Sequence, residues 1–190
     1  MSELLNKIIN YLFKKRVIKL KTIAHREKRF VNYQSAHTII LLFESDYMER
    51  NTEIRQLIQL LHADGKKVMA WGYLQKKEIT SPILPDFRIL HQKNADFSGY
   101  PSVEFRRELE ELNFDLLLDL TVNEIKPLQY IALFANAACK VSTHPYPAIF
   151  DILIDASEIK QKNELNEKET TAIELCDQIF FYLKNIQTVD

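Results

Sequence analysis

Two sets of side chains in this 190-residue sequence are of types that do chemistry. The first is acidic: Glu44, Asp46 and Asp119, with Asn123 and His144, each falling just beyond an apolar run of the kind that forms a buried strand. Converging carboxylates can hold a divalent cation when water or a substrate phosphate completes the shell, and a carboxylate near an imidazole can move a proton. The second set is basic. Lys14, Lys15, Arg16, Lys19, Lys21, Arg26, Lys28 and Arg29 stand within KKRVIKLKTIAHREKR, residues 14–29, against the lone acid Glu27. Cations at that density neutralise phosphates without regard to sequence, so RNA, a ribonucleoprotein or another polyanion is the expected partner, ahead of an anionic membrane surface. Aromatic residues that would stack on bases are thin there, Phe30 and Tyr33 only. The same run also suits a solvated helix that merely balances an acidic remainder.

Charge distribution sharpens the contrast between the two sets. The chain is net −1, but residues 1–30 hold nine Lys/Arg and two acids, leaving 16 basic and 24 acidic residues in 31–190. A basic segment therefore precedes an acidic body. Glycine is scarce: Gly65, Gly72 and Gly99 are the only three, too few and too far apart for a dinucleotide fingerprint or a P-loop. The loop after the first strand reads FESDYMER, with three acids and no glycine, and would repel phosphate. No cofactor is expected. Asp46 and Glu49 equally suit a helix start, where the dipole favours negative charge, so no metal is expected either. Neither a Gly-x-Ser-x-Gly elbow nor an HExxH helix occurs, and no residue is assigned a catalytic role. Cys139 and Cys176 form no CxxC pair and read as inert core thiols. With no apolar stretch of about 18 residues and no leader pattern, a cytoplasmic location is expected.

The elements that must position these residues follow from periodicity. Leu5, Ile8, Ile9 and Leu12 share one face of a helix capped by Ser2 and running to residue 29, its first half able to dock on something apolar and its second half solvated. Residues 1–35 thus form a basic helical arm projecting from a single α/β domain over 36–190. Strands are expected at 38–43, 67–71, 87–90, 114–120, 140–142 and 150–155, with helices near 51–63, 102–112, 127–138 and 169–186 between and after them. Residues 74–86 are expected to be irregular, the His144-Pro145-Tyr146-Pro147 segment a rigid loop, and residues 163–168 a charged linker. Alternation of strands and helices predicts a three-layer, doubly wound, mostly parallel Rossmann-like sheet, with the last helix packed on the body. Phe114, Leu116, Leu118, Ile40, Leu42 and Ile152 should be deeply buried.

The basic N-terminal helix, the TIILLF strand, the Pro-Ser helix leading into FDLLLDL, and FDILID near the end together resemble a small uncharacterised bacterial family, a domain of unknown function. That resemblance spans nearly the whole chain and implies no activity. FDLLLDLTVNEIKPLQYIALFANAACKVST is more distantly similar to the strand-helix-strand unit in the N-terminal half of heptosyltransferase-type glycosyltransferases. It implies a shared fold without transferase activity, because those enzymes need a second nucleotide-sugar domain.

Overall fold

Six apolar runs become six strands, and every strand pair is parallel. In the computed structural model, which describes residues 3–21, 26–46, 49–75, 87–146 and 148–186, the order along the chain is α1 (Glu3–Lys21), β1 (Thr38–Glu44), α2 (Glu49–Ala63), β2 (Lys67–Leu74), β3 (Phe87–His91), α3 (Val103–Glu110), β4 (Asn113–Asp119), α4 (Lys126–Phe134), β5 (Asn136–Ser142), β6 (Ile152–Leu153), α5 (Ser157–Leu165) and α6 (Ala172–Asn185). The sheet order is β3-β2-β1-β4-β5-β6, all parallel. Strand order reverses between β1 and β4, the place where an open α/β sheet leaves a crevice.

Period-two alternation sorts β1 and β4 onto two cores. Ile39, Leu41, Phe43, Leu116 and Leu118 face the layer containing α2 and α6. Ile40, Leu42 and Leu117 face the layer containing α1, α3 and α4. This is the expected doubly wound α/β sheet. Gly65 takes φ 75° at the end of α2, the left-handed conformation that closes a helix without a Cβ clash.

Several local expectations need correction. α4 ends at Phe134, and β5 starts at Asn136 rather than Lys140. β6 is two residues long, so the likeness of FDLLLD to FDILID pairs a central strand with an edge strand. Residues 157–165 form α5, a helix that the charged character of the stretch does not announce. Phe114 and Ile152 are half-buried, because each lies near a strand start or at the edge; Leu116, Leu118, Ile40 and Leu42 are fully buried. The Ser2 cap, Pro82, Pro85 and Pro147 lie outside the described residues.

The N-terminal segment departs most from expectation. Its helix is described as far as Lys21 and residues 26–29 are not helical, so it stops short of residue 29, and it does not project freely. Phe13 and Val17, one turn apart, are buried against α4 and the loops around it. The Phe13 ring meets Tyr130 at 4.9 Å and Tyr146 at 5.4 Å between centroids, both edge-on. Residues 26–37 then run along the sheet: the Arg29 amide donates to the Ala138 carbonyl, and Val31 and Tyr33 enter the other core. The segment 1–35 therefore contributes to both cores.

Lys140, on β5, is buried and donates from Nζ to the Ala132 carbonyl at 2.5 Å, in the last turn of α4. Burial, reinforced by the nearby Arg26 charge, pushes its pKa down to about 7. Above that pH the folded protein releases a proton that the unfolded chain retains until about 10.5, so stability rises with pH in this window. Cys139, whose pKa burial raises to about 11, and Cys176, raised by burial as well, oppose part of the rise as the pH approaches their ordinary value of 9.0. Urea denaturation between pH 7 and 9 should show the wild type gaining roughly 1–2 kcal/mol, while Lys140→Met shows no such gain.

Candidate functional site

At the reversal of strand order a crevice of about 460 Å³ opens between the ends of β1 and β4 and the residues leading into α6. Glu44 and Asp46 line it from β1 and its loop, Glu53 from α2, Leu120 and Val122 from the end of β4, and Glu167 to Ala172 from the approach to α6. Glu44 Oε1 accepts from the Asn123 amide at 2.8 Å and from its Nδ2 at 3.3 Å, joining the loops on either side of the switch point. The approach to α6 is fixed by Glu167, held at φ 53°, and by a capping box: Thr171 Oγ1 accepts from the Glu174 amide, and Glu174 Oε2 from the Thr171 amide. Five carboxylates against Lys168 make the crevice hostile to phosphate. Among the described residues, no group of three or more His, Cys, Asp or Glu is placed to hold a metal ion.

The structure divides the acidic set. Glu44, Asp46 and Asn123 meet at the crevice, whereas Asp119 and His144 are buried beside it. Asp119 Oδ1 accepts from Thr121 Oγ1 at 2.8 Å, and Oδ2 accepts from Ser142 Oγ at 2.9 Å. The His144 amide donates to Ser142 Oγ at 2.9 Å, and His144 Nε2 lies 2.8 Å from the Thr121 carbonyl oxygen. Burial raises the Asp119 pKa, against the opposing pull of His144 and of the Thr121 and Ser142 hydrogen bonds. Ser142, His144 and Asp119 resemble a catalytic set in composition, but His144 Nε2 is engaged by the Thr121 carbonyl and the serine hydroxyl donates directly to the carboxylate. The network ties the ends of β4 and β5 together.

The basic set also divides. Arg16 donates to Asp96 at 3.1 Å and to Ser98 at 2.5 Å, with its guanidinium 4.6 Å from the Tyr100 ring centroid. Arg26 donates to both oxygens of Asp151 and to the Ala137 and Ala138 carbonyls. Lys28 pairs with Asp151 at 3.1 Å, and Arg29 with Asp115 at 3.0 Å. These four fasten the segment to the body. Lys14 and Lys15 instead point to solvent from the outer side of α1, and Lys19 is exposed beside them. The Lys21 side chain lies outside the described residues. On that outer side Leu4 (69% exposed), Ile8 (43%), Tyr11 (64%) and Ile18 (68%) are also uncovered. Of the expected apolar face, Leu5, Ile8, Ile9 and Leu12, only Ile8 falls on this outer line, while Ile9 and Leu12 are half-buried; the usable signal is Phe13 and Val17, apolar at one-turn spacing amid charge.

Removing the Asp119 carboxylate strips partners from Thr121 and Ser142 inside the protein. Asp119→Ala should therefore cost about 2–4 kcal/mol in stability, with Asp119→Asn costing less, since the amide retains an acceptor. Thermal unfolding with and without Mg²⁺ checks this: the loss should be the same in both, whereas a loss confined to the Mg²⁺ sample would make Asp119 a ligand.

The likenesses to other proteins are few. The crystal structure of shikimate dehydrogenase 1 from Peptoclostridium difficile is 12% identical, over 92% of this chain and 61% of its own, with a TM-score of 0.32. The chain thus spans about three-fifths of that protein's length. No curated protein matches the chain. A family model does match, over residues 6–185 and so from α1 through the last turn of α6, and the chain belongs to that family, the family of unknown function DUF6913.

Proposed function

We propose that the protein is a non-catalytic binding module that presents the outer side of α1 to a polyanion. One observation carries the reading: α1 is fastened to the body by Phe13, Val17 and Arg16, which leaves Lys14, Lys15 and Lys19 together on the exposed side. A helix fixed in this way holds its cations in a constant arrangement, so less order has to be imposed on binding. The acidic crevice supports a different reading, a site for a small cationic ligand, with its five carboxylates as the observation behind it. The outer side of α1 ranks first because its exposed lysines outnumber the one acid near them, Glu3, which pairs with Lys7 at 2.7 Å, whereas Glu44 is already bonded to Asn123.

Replacing Lys14, Lys15 and Lys19 by Gln should weaken retention on a heparin column and binding to single-stranded RNA. The slope of log affinity against log salt should flatten by about 2, since each phosphate contact contributes about 0.7 for single strands. Thermal stability should hardly change, because exposed charges add little to folding. Arg16→Gln should do the reverse, lowering the melting temperature with a smaller effect on the slope. Unchanged binding in the triple variant, or binding insensitive to salt, would remove α1 as the contact surface.

A further inference from the structure

The uncovered apolar residues on α1 carry the reading further. Leu4, Ile8, Tyr11 and Ile18 fall at intervals of four, three and seven, so at 3.6 residues per turn they form one line along the helix. Phe13 and Val17 lie on the opposite side, buried. Lys15 stands in the line between Tyr11 and Ile18, while Lys14 and Lys7, the latter paired with Glu3 at 2.7 Å, flank it on one side and Lys19 on the other. α1 is thus apolar on two sides: one is covered by the body, and the other combines large apolar side chains with lysines.

We propose that the outer side of α1 docks in the plane of an anionic lipid bilayer, with Leu4, Ile8, Tyr11 and Ile18 entering the headgroup boundary and Lys14, Lys15 and Lys19 meeting lipid phosphates. This rests on the polyanion reading above and names the partner. A nucleic acid has no use for four exposed aliphatic and aromatic side chains on the contact line. A second copy pairing through α1 would set Lys7, Lys14 and Lys15 against their own counterparts with only Glu3 to offset them, and like charges brought together out of water are costly. At a bilayer the conflict disappears: the lysine stem lies along the apolar boundary while the ammonium reaches the headgroups, and tyrosine favours the same depth. No described helix is long and apolar enough to cross a membrane, so α1 lies on the surface rather than through it. The acidic crevice is lined from α2 and the approach to α6, whereas α1 packs with α3 and α4 in the other layer.

The test is co-sedimentation of the full chain with phosphatidylcholine vesicles and with vesicles also containing phosphatidylglycerol, alongside heparin retention and gel filtration. The wild type should bind the phosphatidylglycerol vesicles and leave the neutral ones in solution. Ile8→Asn with Ile18→Asn should reduce vesicle partitioning by at least about tenfold while leaving heparin retention intact. Lys14→Gln with Lys15→Gln should reduce both, by about fivefold per lysine at the vesicle surface, and high salt should mimic the change. Circular dichroism and thermal unfolding should match the wild type in each variant, because all four side chains are exposed. Heparin retention without vesicle binding, or vesicle binding indifferent to the Asn substitutions, would overturn the lipid assignment while sparing the polyanion reading. Binding to neither would sink both. A dimer that Ile8→Asn dissociates would assign the line to a second copy and overturn the proposal.

Discussion

Asp151 accepts from Arg26 at both carboxylate oxygens, from Lys28 at 3.1 Å and from the Lys140 amide at 2.9 Å, and through these contacts the N-terminal segment is joined to the last two strands. Burial alone would raise its pKa, but the Arg26 and Lys28 contacts and the Lys140 amide hold it below the usual carboxylate range. Without that charge, Arg26, Lys28 and the buried Lys140 would face one another as a cluster of cations. Asp115 has the equivalent role at the start of β4. It accepts from the His37 and Thr38 amides at 2.9 and 3.0 Å, from the Thr38 hydroxyl at 3.0 Å, and from Arg29 at 3.0 Å. These are the first aspartates of FDLLLD and FDILID, so the likeness between the two strands has a physical counterpart. Each supplies a carboxylate at a strand beginning, where the N-terminal segment passes.

The disposition of α1 follows from that attachment. Residues 26–37 fix where the chain leaves the sheet, and Phe13, Val17 and Arg16 then fix the side that α1 turns inward. The cations nearest the sheet are neutralised by specific aspartates, and those on the outer side of α1 remain at the surface. A segment that is uniformly basic in sequence is therefore two things in three dimensions: a fastening made mainly of arginine and an outward side made of lysine. That division matches the chemistry of the two residues, since guanidinium suits multiple fixed hydrogen bonds, and ammonium on a flexible stem suits a mobile, hydrated partner.

The sheet is legible in the sequence because buried parallel strands are continuous apolar runs, and TIILLF and FDLLLDL are hard to place anywhere else. Apolar runs do not fix strand order, so the pairing of β1 with β4, and with it the meeting of Glu44 and Asn123, is visible only in the structure. Asp119 and His144 do stand at strand ends, but whether a polar residue there faces the crevice or a neighbouring strand depends on Thr121 and Ser142, which no spacing rule identifies. That residues 26–29 lie outside α1 is hidden because Arg26, Glu27, Lys28 and Arg29 are all good helix formers. Contacts distant in sequence, from Arg26 to Asp151 and from Arg29 to Asp115, outweigh that local preference. α5 is hidden because Ser157 to Leu165 shows little apolar stripe.

The division of the cations requires that α1 have a covered side and an open side, and thiol labelling measures this directly. Single cysteines placed by Phe13→Cys, Val17→Cys, Tyr11→Cys and Ile18→Cys can be followed in the folded protein, because Cys139 and Cys176 are both buried. Cysteines at 11 and 18 should react with a water-soluble maleimide at the rate of an unhindered thiol. Those at 13 and 17 should be slowed by at least about tenfold, the factor that about 1.4 kcal/mol of local opening imposes. Equal rates at all four positions would mean that α1 is a free arm, and the division of its cations into fastening and display would be wrong.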